Sequence, residues 1–173
     1  MIAMTFLDTA FLKSDEIALR LEKTVEGDET RGWLPAYHFA ICDAAGMKMG
    51  VCDLRIGHNE NVYYGGNIGY RVEPAYRGRH YAGKACLMLF ELARRHGMDW
   101  LIITCNPDNW PSRKTCEWAD GELVEIVELP EDNDMRVEDC ETHKCIYRFN
   151  LEISRKPLPF CVKNGTIEAT NPE

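Results

Sequence analysis

The stretch Val72-Glu73-Pro74-Ala75-Tyr76-Arg77-Gly78-Arg79-His80-Tyr81-Ala82-Gly83-Lys84-Ala85 passes from an apolar, strand-like run through a proline and a basic, glycine-containing loop into a helix. Helical spacing carries Ala82, Ala85, Cys86, Leu89 and Ala93 along one face. The last turn holds Arg94, Arg95 and His96, and Gly97 is placed to end it. Ahead of this helix, VYYGGNIGYRVE (62–73) reads as one long strand interrupted by Gly65, Gly66 and Gly69, and glycine inside a strand marks a bulge or a close backbone approach. Behind it, DWLIITC (99–105) is a nearly continuous apolar run of the kind buried on both sheet faces. Strand, loop, long helix and buried strand make a crossover unit, so the chain reads as α/β.

Working outward, residues 1–8 alternate weakly as a first strand, and Ser14 is placed to cap a helix with Ile17, Ala18, Leu21 and Val25 on one face. GDETRGW (27–33) breaks it. Runs 37–42 and 47–56, joined by AAGM, read as a hairpin, and GHNEN (57–61) as a polar loop. A short helix starts near Asn109, where an Asn cap and Pro111 in the first turn agree. ELVEIVEL (122–129) and KCIYRFNLEI (144–153) are strand-like, separated by the acidic loop PEDNDMRVEDCE (130–141). The tail from Arg155, with Pro157 and Pro159, is expected to wrap the domain or fray. Hairpins early and a crossover later predict a mixed, partly antiparallel central sheet flanked by helices.

At 173 residues the chain is most simply one domain. Lys and Arg total 20 against 28 Asp and Glu, a net charge of −8, with no basic stripe, which argues against nucleic acid as a partner. No apolar run approaches the roughly 18 residues of a membrane span, and MIAMTFLDTAFLKSDE meets acidic residues too early for a secretion signal, so the expected compartment is the cytoplasm, with no membrane partner. The eight cysteines are scattered, several in apolar runs, and read as buried reduced thiols. Cys140, His143 and Cys145 lack the fourth ligand and the spacing of a zinc site, so no metal is expected.

A basic glycine loop at a helix N-terminus presents unpaired N–H groups and the positive end of the helix dipole, which suit a phosphate. An ordinary helix entry uses the same residue types. The block resembles the acyl-CoA-binding signature of the GNAT superfamily of acetyl-CoA-dependent N-acetyltransferases, in which a strand ending Val-x-Pro leads into an Arg-x-x-Gly-x-Gly/Ala loop. Arg77, Gly78, Arg79, Tyr81 and Ala82 fit, while His80 stands where the family usually has Gly. Asn109-Trp110-Pro111-Ser112-Arg113-Lys114-Thr115-Cys116-Glu117 resembles the later segment Asn-x-x-Ser-x-x-Leu-Tyr-Glu, with Cys116 in place of the Tyr. The resemblance runs from about residue 36 to 150. It implies that the strand around Tyr70 and Val72 offers backbone hydrogen bonds to pantetheine, that residues 78–83 (Gly78, Arg79, His80, Tyr81, Ala82 and Gly83) hold the pyrophosphate with charge added by Arg77, and that Asn109 and Ser112 face the pantetheine arm.

The implied activity is direct transfer of an acetyl group from acetyl-CoA, as co-substrate, to a primary amine on a small molecule or peptide. Such a transfer needs a proton acceptor, a polarised thioester carbonyl and a proton for the leaving thiolate. The resemblance puts a backbone N–H near Tyr70 at the carbonyl, Glu60 as candidate base and Cys116 as candidate acid. Trp33, Tyr37, Tyr63 and Tyr64 are candidates for an acceptor pocket, and equally for core. Residues 1–150 form the expected transferase domain and 151–173 a C-terminal extension. The oligomeric state stays open, a dimer being one option, and a non-catalytic acyl-CoA-binding or regulatory module is the alternative reading.

Overall fold

The computed structural model describes residues 3–152 and the backbone of two further strands, Phe160–Lys163 and Thr166–Ala169. The first regular element is a strand, β1 (Ile17–Val25), where helical spacing predicted a helix. Ile17, Ala18, Leu21 and Val25 fit both periods. The decision comes from β2 (Ala36–Asp43), a strand with almost every residue buried, which pairs antiparallel with β1 along its whole length from Ile17 opposite Asp43 to Val25 opposite Ala36. The Ser14 hydroxyl accepts the N–H groups of Glu16 and Ile17, so it closes a turn into the strand. Residues 3–8, expected as a strand, form none. They lie against β2, with the Leu7 N–H donating to the Tyr37 hydroxyl at 2.8 Å and Phe6 edge-on to the Tyr37 ring.

The predicted hairpin is β2 with β3 (Lys48–Arg55), turned at Gly46 (φ +85°). The expected long strand over 62–73 is instead a short helix, α1 (Glu60–Gly65), followed by β4 (Ile68–Val72). The Asn59 side chain accepts the Val62 N–H at 2.9 Å and starts the helix within what read as polar loop. The glycines that suggested a bulge end it. Gly66, at φ +80°, lies so close to the Thr104 amide that a Cβ there would sit 3.1 Å from it.

The long helix α2 (Tyr81–Arg95) and the strand β5 (Trp100–Cys105) follow as predicted, with Gly97 at φ +78° just past the helix end. Then come α3 (Trp110–Trp118), capped by Asn109, β6 (Glu122–Glu128), α4 (Asp134–Asp139) and β7 (His143–Asn150). The helix α4 lies within the expected acidic loop. β8 (Phe160–Lys163) pairs antiparallel with β9 (Thr166–Ala169), and the expectation that the tail wraps or frays otherwise falls outside the described residues.

Two sheets result, ordered β1-β2-β3-β4 and β5-β7-β6, with every pairing among the described residues antiparallel. The buried face of α2, including Ala85, Met88, Leu89 and Leu92, packs with Ile17, Phe39, Leu54, Leu101 and Tyr147 in one core that draws on both sheets. Asn67, fully buried, ties the sheets together. Its N–H donates to the Ile102 carbonyl at 2.8 Å, its side-chain oxygen accepts the Ile102 N–H at 3.0 Å, and its side-chain NH2 donates to the Arg55 and Gly57 carbonyls. From that tie β4 belongs to one sheet and β5 to the other.

Candidate functional site

The pairing of β3 with β4 determines which backbone groups of β4 are free. Arg55 N–H donates to the Asn67 carbonyl and Glu73 N–H to the Met49 carbonyl, so the ladder bonds fall at odd positions of β4. In an antiparallel pair the alternate residues turn their N–H and C=O the other way. Ile68, Tyr70 and Val72 therefore present theirs on the edge away from β3, where the neighbouring strand β5 belongs to the other sheet. Along this edge runs a groove of about 450 Å³, walled by Tyr70, Arg71 and Val72 on one side and by Asn109, Pro111, Ser112, Lys114 and Thr115 of α3 and its cap on the other.

The groove ends at the loop before α2, where Tyr76, Arg77, Gly78, His80, Tyr81 and Ala82 line it. The first intrahelical bond of α2 runs from the Lys84 N–H to the His80 carbonyl at 2.8 Å, which leaves the N–H groups of Tyr81, Ala82 and Gly83 ahead of the ladder. Gly78 (φ +84°) and His80 (φ +58°) both adopt the left-handed conformation. At His80 that costs about 1 kcal/mol or more relative to glycine, and its ring stacks on Trp118 at 4.8 Å and 12°. Arg77 donates from Nε to the Val72 carbonyl at 2.9 Å, tying the loop to the end of β4. Arg79 is exposed and outside the lining. Gly83 is buried, and a Cβ on it would stand 2.4 Å from the Trp118 ring, so it serves the approach of α2 to α3.

On the α3 side, the Asn109 side chain accepts the Ser112 N–H at 3.2 Å and so caps the helix that carries Ser112. The Tyr70 hydroxyl crosses the groove floor to reach Ser112 Oγ at 2.7 Å and the Ser112 carbonyl at 3.3 Å. Cys116 is fully buried behind them, its sulfur 3.9 Å from the same hydroxyl. Burial raises all the acids here. The Tyr70 phenol is held well above its ordinary value, Cys116 is pushed up to about 12, and Cys105, beside Ser112, to about 11.

Glu60 stands elsewhere. It is exposed at the start of α1 and lines a second groove, of about 560 Å³, with Asp132 and Asp134 opposite, His38 and Arg55 on the sheet, and Trp33 and Tyr64. Of the four aromatic candidates, Trp33 and Tyr64 line this groove. Tyr37 is fully buried core, and Tyr63 packs on Val62, Ile102 and Ile146. The two grooves differ in charge. The first carries Arg71, Arg77 and Lys114 and no carboxylate, whereas the second carries three carboxylates. Sequence reasoning missed the Tyr70 hydroxyl, Tyr76 and Lys114. The Tyr at the strand end and the Lys one helical turn past Pro111 were the available signals.

No group of three or more His, Cys, Asp or Glu side chains placed to hold a metal occurs among the described residues. Nor is any helix among them long and apolar enough to cross a membrane.

Residues 4–122 match the family model of the acetyltransferase (GNAT) domain. No curated protein matches the sequence significantly. Among solved structures, a GNAT-family acetyltransferase from Bacillus anthracis is 17% identical with a TM-score of 0.54, the match covering 67% of each chain. The microcin C7 self-immunity acetyltransferase MccE, solved with acetyl-CoA and AMP, is 20% identical with a TM-score of 0.54 over 66% of this chain and 61% of that one. A ribosomal-protein-S5-alanine acetyltransferase from Vibrio fischeri is 12% identical with a TM-score of 0.54, over 70% of this chain and 64% of that one. The chain thus spans about two thirds of the length of these structures, and at such identities they establish a common fold. With the family model covering more than half of the sequence, this chain belongs to the GNAT family of acetyltransferases and is an acyltransferase.

Proposed function

We propose that this protein transfers an acetyl group from acetyl-CoA directly to a primary amine. The observation that carries the reading is the first groove, where a free strand edge leads to a basic loop at the N-terminus of a 15-residue helix. The N–H groups of Tyr81, Ala82 and Gly83, with Arg77 and the amides around Gly78, would hold the pyrophosphate. Arg79 and His80 would add donors from the same loop. The Tyr70 and Val72 backbone groups, with Asn109 and Ser112, would hold the pantetheine arm, and the Tyr70 N–H would polarise the thioester carbonyl. Bound acetyl-CoA supplies the activated acetyl thioester.

The acidic second groove suits an acceptor that arrives as an ammonium ion. Glu60 would draw it in and take the proton that attack requires. Cys116 enters this reading only behind Tyr70, since it does not line either groove. Residues 1–150 would carry the whole transferase, and six buried free thiols suit a reducing, cytoplasmic compartment.

The test is release of free CoA from acetyl-CoA in the presence of single amines: 1,5-diaminopentane, lysine, a tripeptide with a free N-terminus, and an aminosugar. Amine-dependent CoA release supports the reading. Tight acetyl-CoA binding with no release for any amine refutes it and leaves a binding module.

A further inference from the structure

The inference concerns the proton that the departing sulfur needs, and it rests on the reading that the first groove carries an acyl thioester. Arg77, Gly78 and His80 mark the phosphate end of that groove. β4 runs toward that end at about 3.3 Å per residue, so Tyr70 lies back along the wall, away from the phosphates. Its side chain crosses to α3, where the hydroxyl meets Ser112 Oγ at 2.7 Å and the Cys116 sulfur at 3.9 Å.

This neighbourhood does not tolerate charge. Burial lifts the phenol of Tyr70 and the thiols of Cys105 and Cys116 alike, so each stays protonated. A thiolate released against these groups is desolvated as they are, and becomes a stronger base than it is in water. It must be met by a proton as it forms. Residue 116 cannot bring one directly, because its sulfur is fully buried and the Tyr70 oxygen stands between it and the groove. A phenol from the opposite wall occupies that place.

We propose that the Tyr70 hydroxyl gives its proton to the cofactor sulfur as the sulfur leaves, with Ser112 and Cys116 holding the hydroxyl in position. The amine nitrogen forms a bond to the acetyl carbonyl carbon. The C–S bond breaks, its electron pair goes to sulfur, and the Tyr70 proton follows. The proton shed by the amine nitrogen returns to the phenol through solvent. Amine and thioester become amide and thiol, with no other reactant consumed.

Tyr70→Phe removes a single oxygen. Turnover of acetyl-CoA with the fastest amine of the panel should fall about 100-fold or more in kcat, while the Kd for acetyl-CoA by calorimetry stays within about twofold. Replacing Tyr70 by 3,5-difluorotyrosine, which keeps the hydroxyl and its partners, should move the alkaline limb of the kcat profile to lower pH. A purely structural phenol would leave that limb in place. The proposal is overturned by a Phe variant with kcat within about threefold of the parent, by a kcat loss matched by lost acetyl-CoA binding, or by an unmoved limb in the fluorinated protein. A parent that releases no CoA with any amine overturns the function reading and this proposal together. An active parent with an equally active Phe variant overturns this proposal alone.

Discussion

Gly83→Ala is a small change at a crowded place, and its effect follows from what the added methyl meets. The new Cβ would stand 2.4 and 2.6 Å from two carbons of the Trp118 ring. Replacing Gly by Ala in a helix gains up to about 1 kcal/mol, and less in the first turn, where residue 83 lies. Overpacking of this kind costs about 1 to 3 kcal/mol. Trp118 is rigid, and it also supports the His80 ring in its stack. Contact wins over propensity, and the net loss should be about 1 to 2 kcal/mol, or roughly 2 to 8 °C in Tm for a chain of this size. Displacement of Trp118 should pass to the left-handed His80 and from there to the loop, so acetyl-CoA should bind several-fold more weakly. Thermal unfolding and calorimetric titration with acetyl-CoA measure both effects. Shrinking the ring in the double variant Gly83→Ala/Trp118→Leu should remove most of the coupling between the two positions. A Gly83→Ala protein as stable as the parent, with unchanged acetyl-CoA affinity, would refute the reasoning.

Arg77→Ala should weaken CoA by about 1 to 3 kcal/mol, since both its charge and its bond to the Val72 carbonyl are lost; calorimetry that finds Arg77→Lys at full affinity would show that the brace to β4 is irrelevant. Burial holds the His96 ring below the ordinary imidazole pKa, and its Nε2 lies 2.7 Å from the Tyr37 hydroxyl. The fold therefore favours neutral His96, the unfolded chain takes up the proton first, and urea midpoints should fall as pH drops below about 6.5, a slope that His96→Gln should reduce. The apparent second-order rate with 1,5-diaminopentane should fall as ionic strength rises, because Glu60, Asp132 and Asp134 attract the acceptor through screened charge. A rate indifferent to salt would remove steering from the role of that groove.

The parts of the site that were legible in the sequence are those whose residues are neighbours along the chain. Arg77 to Ala82 and Asn109 to Ser112 each form a loop and helix entry within a few residues, and cap, proline and glycine signals act at that range. What was not legible depends on contacts made at a distance. Ile17 to Val25 satisfies either period, and only β2 decides for strand. The run after Asn59 carries helix-capping chemistry and strand-like side chains together, and the close approach of Gly66 to β5 determines where one ends and the other begins. The loop 130–141 lies about seventy residues from Glu60, so no local pattern announces that their carboxylates line one groove. The Tyr70 hydroxyl is the same case. Its meeting with Ser112, 42 residues on, follows from how two sheets are held apart.

That separation hangs on Asn67, which uses backbone and side chain to bolt one sheet to the other. A bolt at the base of a wedge determines its opening before anything enters. Strand edges that would otherwise zip together are kept ajar by a buried amide whose polar groups all have partners in place. The empty protein therefore already has the shape that receives the cofactor arm, and binding requires no hinge to swing. Affinity is spared the penalty of a rarely visited open form. The corresponding cost is borne in folding, where one polar side chain must find five partners inside an apolar core, and slippage there would seal the strands into a single continuous sheet with no entrance.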